Sequence, residues 1–449
     1  MTTVKTNDFS QGSVWKTIVR MAIPTTLAQL INILYNIVDR MYIGHMDGAG
    51  ALALTGLGLC MPLISIVMAF ARLSGMGGGP LCSIERGRGD YDEAEKIMGN
   101  SFTLLVIFAV VLTALGEIFM EPVLYAFGAS DQTIGYAADY GRIYLAGNLF
   151  VLISLGMNFF INAQGFARTG MITTVVGAVA NIILDPVFIF VLDWGVKGAA
   201  FATILSQGLS AVWVLLFLTG KRAQLRLKKE NLRLQKARVI RILSLGFSGF
   251  IMALTNSVVQ VACNSVLQTF GGDLYVGVMT VINSIREVVS MPVQGLTNAA
   301  EPVLGYNYGA KKPNRVKAGI RFITICAFLY SFLVWVVIRV VPEPLIAIFN
   351  SDPALMEATI PALNLYFITF FMMALQFSGQ STFVSLGKSK QATFFSIFRK
   401  VIIVLPLTLI LPRFMGVSGV FWAEAISNVV GGLCCFGTMY LTVYRKLEQ

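Results

Sequence analysis

Charge is scarce in this chain of 449 residues: Asp, Glu, Lys and Arg make up 13% of it, against 56% hydrophobic residues. With a mean hydropathy of +0.74, that is more apolar surface than a soluble core of this size can hide, so the chain belongs in lipid. Histidine is almost missing. The single His45 follows Gly44 with no cysteine or second histidine nearby, which makes a poor metal site. The six cysteines (Cys60, Cys82, Cys263, Cys326, Cys434 and Cys435) include no C-x-x-C pair and fall mostly in apolar stretches. They read as small buried hydrophobes and not as disulfides or zinc ligands. A membrane-embedded transferase or hydrolase would need a nucleophile, a metal set or an acid–base pair, and is poorly supported. No cleavage of a signal is expected, because the first apolar run, Trp15 to Tyr42, is too long and continues into polar spacing.

What the chain does have is long apolar runs. They lie near 15–42, 51–78, 97–120, 137–163, 171–192, 198–219, 243–270, 275–304, 318–341, 359–383, 390–411 and 418–443. A spanning helix needs roughly 20 residues, and each run meets that. The expected fold is an all-α integral membrane protein of twelve transmembrane helices, with both termini on one side.

Charge position decides the side. The 34 basic residues exceed the 23 acidic ones, but they sit in short loops, where they set orientation and form no groove for nucleic acid. Nine lie between Lys221 and Arg241 against a single Glu230, so that loop is cytoplasmic. Lys311, Lys312, Arg315, Lys317, Arg321, Lys388, Lys390, Arg445 and Lys446 fall on the same side, while Glu117, Glu121, Asp131, Glu343 and Asp352 fall opposite. The sequence therefore predicts a multi-pass protein of a bacterial inner (cytoplasmic) membrane with both termini cytoplasmic.

The two halves resemble each other. The string 193–198, DWGVKG, aligns with 414–419, FMGVSG, and 127–131, FGASD, aligns with 348–352, IFNSD. A six-helix repeat keeps each copy in one orientation, so two pseudo-symmetric lobes are expected around a shared cavity. The boundaries are an N-lobe at 1–219, a basic cytoplasmic linker at 220–241 and a C-lobe at 242–449.

The chemistry lies in polar residues inside apolar runs. Thr25, Gln29, Asn32, Asn36 and Asp39 recur every three or four residues and form one stripe on the first helix. Burying such groups unpaired costs several kcal/mol, so the stripe faces water, ions or another polar helix. Asn181 and Asp185 lie one turn apart on the fifth helix, Asn158 and Asn162 on the fourth, and Thr203 and Gln207 on the sixth. Two carboxylates in a low-dielectric site repel, and either a shared proton or a bound sodium relieves them. The oxygens of Asn158, Asn181 and Thr203 suit either occupant. Pro186 removes a backbone donor next to Asp185.

The second half is chemically different. Its first helix repeats Asn256 and Gln260, but Cys263 stands where the repeat would place the carboxylate of Asp39. Its second helix carries Asn283, Glu287, Ser290 and Gln294 on one face. Glu287 is a candidate for contacting a cationic substrate or holding a second proton, or else for pairing with Arg286 or Lys400. Arg399 and Lys400 lie deep in the eleventh helix and need a partner. Glu424 reads as structural, close to the outer boundary.

The strings 35–44, YNIVDRMYIG, 164–168, QGFAR, 181–186, NIILDP, and 305–310, GYNYGA, resemble the multidrug and toxic compound extrusion (MATE) transporters over nearly the whole chain. The acid in the first helix resembles a bacterial branch that includes DNA-damage-inducible and staphylococcal multidrug members. The resemblance implies a V-shaped pair of six-helix lobes that exchange a proton or sodium for an organic cation by alternating access. It also puts Asp39, Asn181, Asp185 and Thr203 on the cation site of the N-lobe, with Asn158 a neighbour, and makes Glu287 resemble a C-lobe acid. Asn32, Asn36, Gln260 and Asn283 join Glu287 as substrate-contact candidates. No cofactor beyond the coupling ion is expected, and the partners are a small organic substrate and membrane lipid, with the chain acting as a monomer. A flippase for a lipid-linked saccharide is the alternative; it predicts a basic cavity for pyrophosphate, whereas the first-half polar face is acidic and rich in amides.

Overall fold

The computed structural model describes residues 8–46, 50–349 and 352–448. Asn350 and Ser351, in the second copy of one repeat motif, lie outside the described residues. Among the described residues the only regular structure is helical. The first three helices are α1 (Val14–Gly44), α2 (Gly50–Arg88) and α3 (Tyr91–Ala126). Asp90 caps α3 by accepting from the Glu93 amide at 2.9 Å, and Asp92 and Glu93 add negative charge to the same first turn.

Helix α4 is a bent pair, Ile134–Ala146 with Asn148–Ala163, turning by 57°. Helix α5 (Ala167–Pro186) ends in a π turn, Val187–Val191, directly after the proline that cannot donate to the ladder. Next comes α6 (Gly195–Thr219). The run Lys236–Gly309 is two helices, α7 and α8, separated at Gly272 (φ 65°, ψ −166°). Then follow α9 (Pro313–Val340) and α10, a second bent pair, Pro353–Tyr366 with Phe370–Ser385, turning by 43°. Helix α11 starts as Ser389–Ile397, loosens into a π turn at Phe398–Val404 and resumes as Leu405–Ile410. The last is α12 (Ser418–Thr442).

Nine stretches of the described residues are long and apolar enough to cross a membrane, and the bent pairs raise that to eleven. Dividing Lys236–Gly309 at Gly272 gives the twelve spans expected. The repeat is visible in the irregularities: the fourth helix of each half is bent, and the fifth helix of each half carries a π turn.

By internal contacts the chain forms two compact units. One is built on Leu27–Phe250, the other on Phe9–Thr26 with Ile251–Gln449. These bounds depart from the 1–219 and 242–449 segments read from sequence, and the reason is close backbone packing. A Cβ on Gly246 would overlap the Leu73 carbonyl oxygen, and one on Gly77 would overlap that of Ile242. The start of α7 therefore packs on α2 and belongs to the first unit. The segment before it is also fastened there. Asn100 Nδ2 donates to the carbonyls of Asn231 and Arg233, Thr103 Oγ1 to that of Leu232, and Arg238 is paired with Glu93 at 2.6 Å. The opening turns of α1 go with the second unit instead, where Thr25 Oγ1 donates to the Gly295 carbonyl at 3.1 Å.

Candidate functional site

In the first unit, α1 and α5 bring two acids together. Asp39 is 8% exposed and Asp185 is fully buried, and the two carboxyl groups lie close enough to act on each other electrostatically. Asn181, one turn before Asp185, donates Nδ2 to Asp185 Oδ1 at 3.1 Å. Among the described residues, Oδ1 of Asp39, Oδ2 of Asp185 and Oδ1 of Asn181 are buried without a hydrogen-bond partner. The unpartnered atoms here are thus all acceptors. Two unit charges 4 Å apart repel by about 4 kcal/mol at an effective dielectric of 20, so a proton or a small monovalent cation is the occupant that this donor set fits.

Tyrosines surround the acids. Tyr35 is on the α1 turn before Asp39, and Tyr140 and Tyr144 come from α4, their rings stacked with centroids 6.1 Å apart. Tyr140 and Thr203 lie close enough to interact, and the Thr203 hydroxyl donates to the Ala199 carbonyl at 3.0 Å. Thr203 therefore reaches the site through a tyrosine. Sequence reasoning missed Tyr140 and Tyr144, although their spacing of four on a helix places both on one face.

The remaining candidates separate. Asn32 and Asn36 are half-buried, and Asn36 folds back to donate to the Asn32 carbonyl at 2.6 Å. Asn158 does not join Asp185. Its Nδ2 donates to the Gly170 carbonyl at 3.3 Å, and Gly170 lies fifteen residues before Asp185 on α5, which is about 22 Å of helix at roughly 1.5 Å per residue. Asn158 and Asn162 pack instead around Gly170, where a Cβ would meet both their Oδ1 atoms within 2.9 Å.

In the second unit the expected centre moves. Glu287 and Gln260 are exposed and Asn283 is half-buried. Glu287 pairs with neither Arg286 nor Lys400, and the acid that does is Glu424, 5% exposed. Arg399 donates to it as well, and Tyr366 accepts from Arg286 at 3.1 Å. Glu424 therefore lies at the middle of a buried ion cluster. The signal for it was the pair of cations on α11 that lacked a counter-charge. Cys263 is buried with Sγ 3.8 Å from Thr408 Oγ1.

Against known proteins, the family model described as MatE matches residues 24–187 and 249–410, once in each half. The multidrug export protein MepA of Staphylococcus haemolyticus is 23% identical over 433 residues, covering 96% of this chain and 94% of its own. A MOP superfamily transporter from Pyrococcus furiosus, described as having a binding pocket of reverse polarity that suggests a different function, superposes with a TM-score of 0.92 at 24% identity, over 99% of each chain. The outward-facing conformation of a multidrug resistance MATE family transporter superposes with a TM-score of 0.90 at 24% identity, over 98% of this chain and 99% of the other.

Proposed function

This chain belongs to the MatE family, a family of membrane transporters, and from that premise we propose that it is a cation-coupled antiporter exporting organic compounds by alternating access. MepA, a multidrug export protein, is similar to it along nearly its full length, which supports drugs and toxic compounds as cargo. The observation that carries the coupling reading is the Asp39–Asp185 pair with its unpartnered oxygens. A proton or sodium arriving from outside neutralises the repulsion between the acids, and its departure inside restores it. A ligand shifts a two-state protein only through its different affinity for the two states. Because α1 and α5 each hold one acid, any change in their spacing changes affinity for the ion directly.

Asn181 orients Asp185 and offers its own oxygen, Tyr140 and Thr203 close the site from α4 and α6, and Asn32 and Asn36 continue the polar stripe for substrate. The protein acts in a bacterial inner membrane, as a monomer among lipid, with both termini cytoplasmic, as its basic loops require. The flippase reading is not favoured, since MepA, similar to this chain along nearly its full length, is a multidrug export protein.

The test is dye efflux from proteoliposomes under separately imposed sodium and pH gradients, with ethidium and carboxyfluorescein as probes. One gradient should drive efflux of at least one dye and the other should not. Efflux that ignores both gradients contradicts the reading.

A further inference from the structure

The second unit buries more positive charge than negative. Arg286 on α8 and Arg399 and Lys400 on the π turn of α11 all converge on Glu424 of α12. Arg286 Nη1 and Lys400 Nζ lie 3.6 and 3.4 Å from its oxygens. Arg399 Nη2 donates to it and, at 2.6 Å, to Asn428 Oδ1. Among the described residues Glu424 is the one carboxylate acting on all three cations. Guanidinium groups remain protonated in proteins, so even with Lys400 neutral, two positive charges face one negative charge. Charges inside a membrane protein persist where they are paired or face a water-filled cavity. This cluster is short of negative charge.

Two donors point to what completes it. Arg399 is 9% exposed, and its Nε has no partner. Arg286 is the open member, its side chain 31% exposed, with Nη1 steadied by the Tyr366 hydroxyl and the other donors of the fork uncommitted. The other side chains at the cluster, Cys263 and Thr408, add no charge. The π turn that carries Arg399 and Lys400 is the kind of helix irregularity that sits at functional sites.

We propose that this cluster binds an oxyanion carried on an amphipathic molecule, a carboxylate, sulfonate or phosphate, received by the open fork of Arg286, with the buried Arg399 adding positive charge behind it. Planar guanidinium groups match such oxygens with paired, charge-assisted hydrogen bonds. Lys400 and Glu424 hold the frame and set the net positive field. The proposal rests on the export reading and narrows it: the cargo seated in the second unit bears a negative group, as an organic anion or a zwitterion.

The test uses purified full-length protein in a nonionic detergent, titrated with carboxyfluorescein and followed by fluorescence anisotropy. It involves no gradient, so a failure of coupling leaves its result readable. Saturable binding is expected, weakened about tenfold or more in Arg286→Gln, the scale of losing a charge-assisted hydrogen bond, and weakened less in Arg286→Lys, which keeps the charge and loses the paired fork. The fully esterified, uncharged form of the dye should compete only weakly against wild type, a comparison that stands even if the Gln variant does not fold. Dye binding that survives added phosphatidylglycerol marks a free organic anion as the ligand, and displacement by that lipid marks a lipid headgroup; both uphold the oxyanion site. Equal affinity for the dye and its fully esterified, uncharged form, or undiminished binding in a folded Arg286→Gln protein, overturns it.

Discussion

At the scale of single residues, the two units solve opposite electrostatic problems. Asp39 and Asp185 put like charges side by side in the first unit, while Glu424 stands against three cations in the second. Removing the one acid of the second cluster leaves those cations uncompensated. Glu424→Gln is therefore expected to destabilise the protein by about 3–5 kcal/mol, the range for breaking a buried ion pair from one side. A lowered midpoint of thermal unfolding in detergent checks it, and an unchanged midpoint contradicts the ion-cluster account. The acids of the first unit were legible because an ionisable group within an apolar run has few bland explanations. Asn158 was misread because periodicity assigns a residue to a face of a helix and not to a height along a neighbouring one. Glu424 was undervalued because its partners lie on three other helices, a convergence that spacing along one helix does not encode.

Among the helical elements, the breaks are more informative than the regular turns. Gly272 adopts φ 65° and ψ −166°, a region essentially reserved for glycine, and nothing lies within 4 Å of where its Cβ would be. Gly272→Ala should thus cost about 1–3 kcal/mol from backbone strain alone, measurable as reduced resistance to chemical unfolding; no change would mean that the joint between α7 and α8 relaxes freely. The bends in α4 and α10 were not legible. Runs 137–163 and 359–383 have the length and hydropathy of straight spans, and no proline marks either break. The segment before α7 adds a pH dependence. Lys228 is paired with Glu95 at 2.6 Å, and the carboxylate beside it holds the ammonium above its usual value of 10.5. A raised pKa means that this tether is fully present at neutral pH and is lost as pH rises through the raised value. Limited proteolysis between Lys221 and Arg241 should quicken well above pH 10.5 in wild type, and Lys228→Gln should remove that pH dependence. A wild type that shows none contradicts the tether.

Over the whole molecule, the internal repeat was the most legible feature and the division of labour between its copies the least. Two short motif pairs revealed the repeat in the sequence, and the bent fourth and π-turned fifth helices of each half carry it in three dimensions. The contact units nevertheless exchange the starts of α1 and α7, because glycines such as Gly246 and Gly77 allow backbone packing that hydropathy does not record. Coupling, in this account, belongs to the Asp39–Asp185 pair, so that pair is where the account is most exposed. The direct measurement is gradient-driven dye efflux from proteoliposomes of Asp39→Asn, beside wild type at matched protein content and thermal stability. The folded variant should no longer respond to the sodium or proton gradient that drives wild type. Efflux by Asp39→Asn that still follows that gradient at the wild-type rate would contradict it.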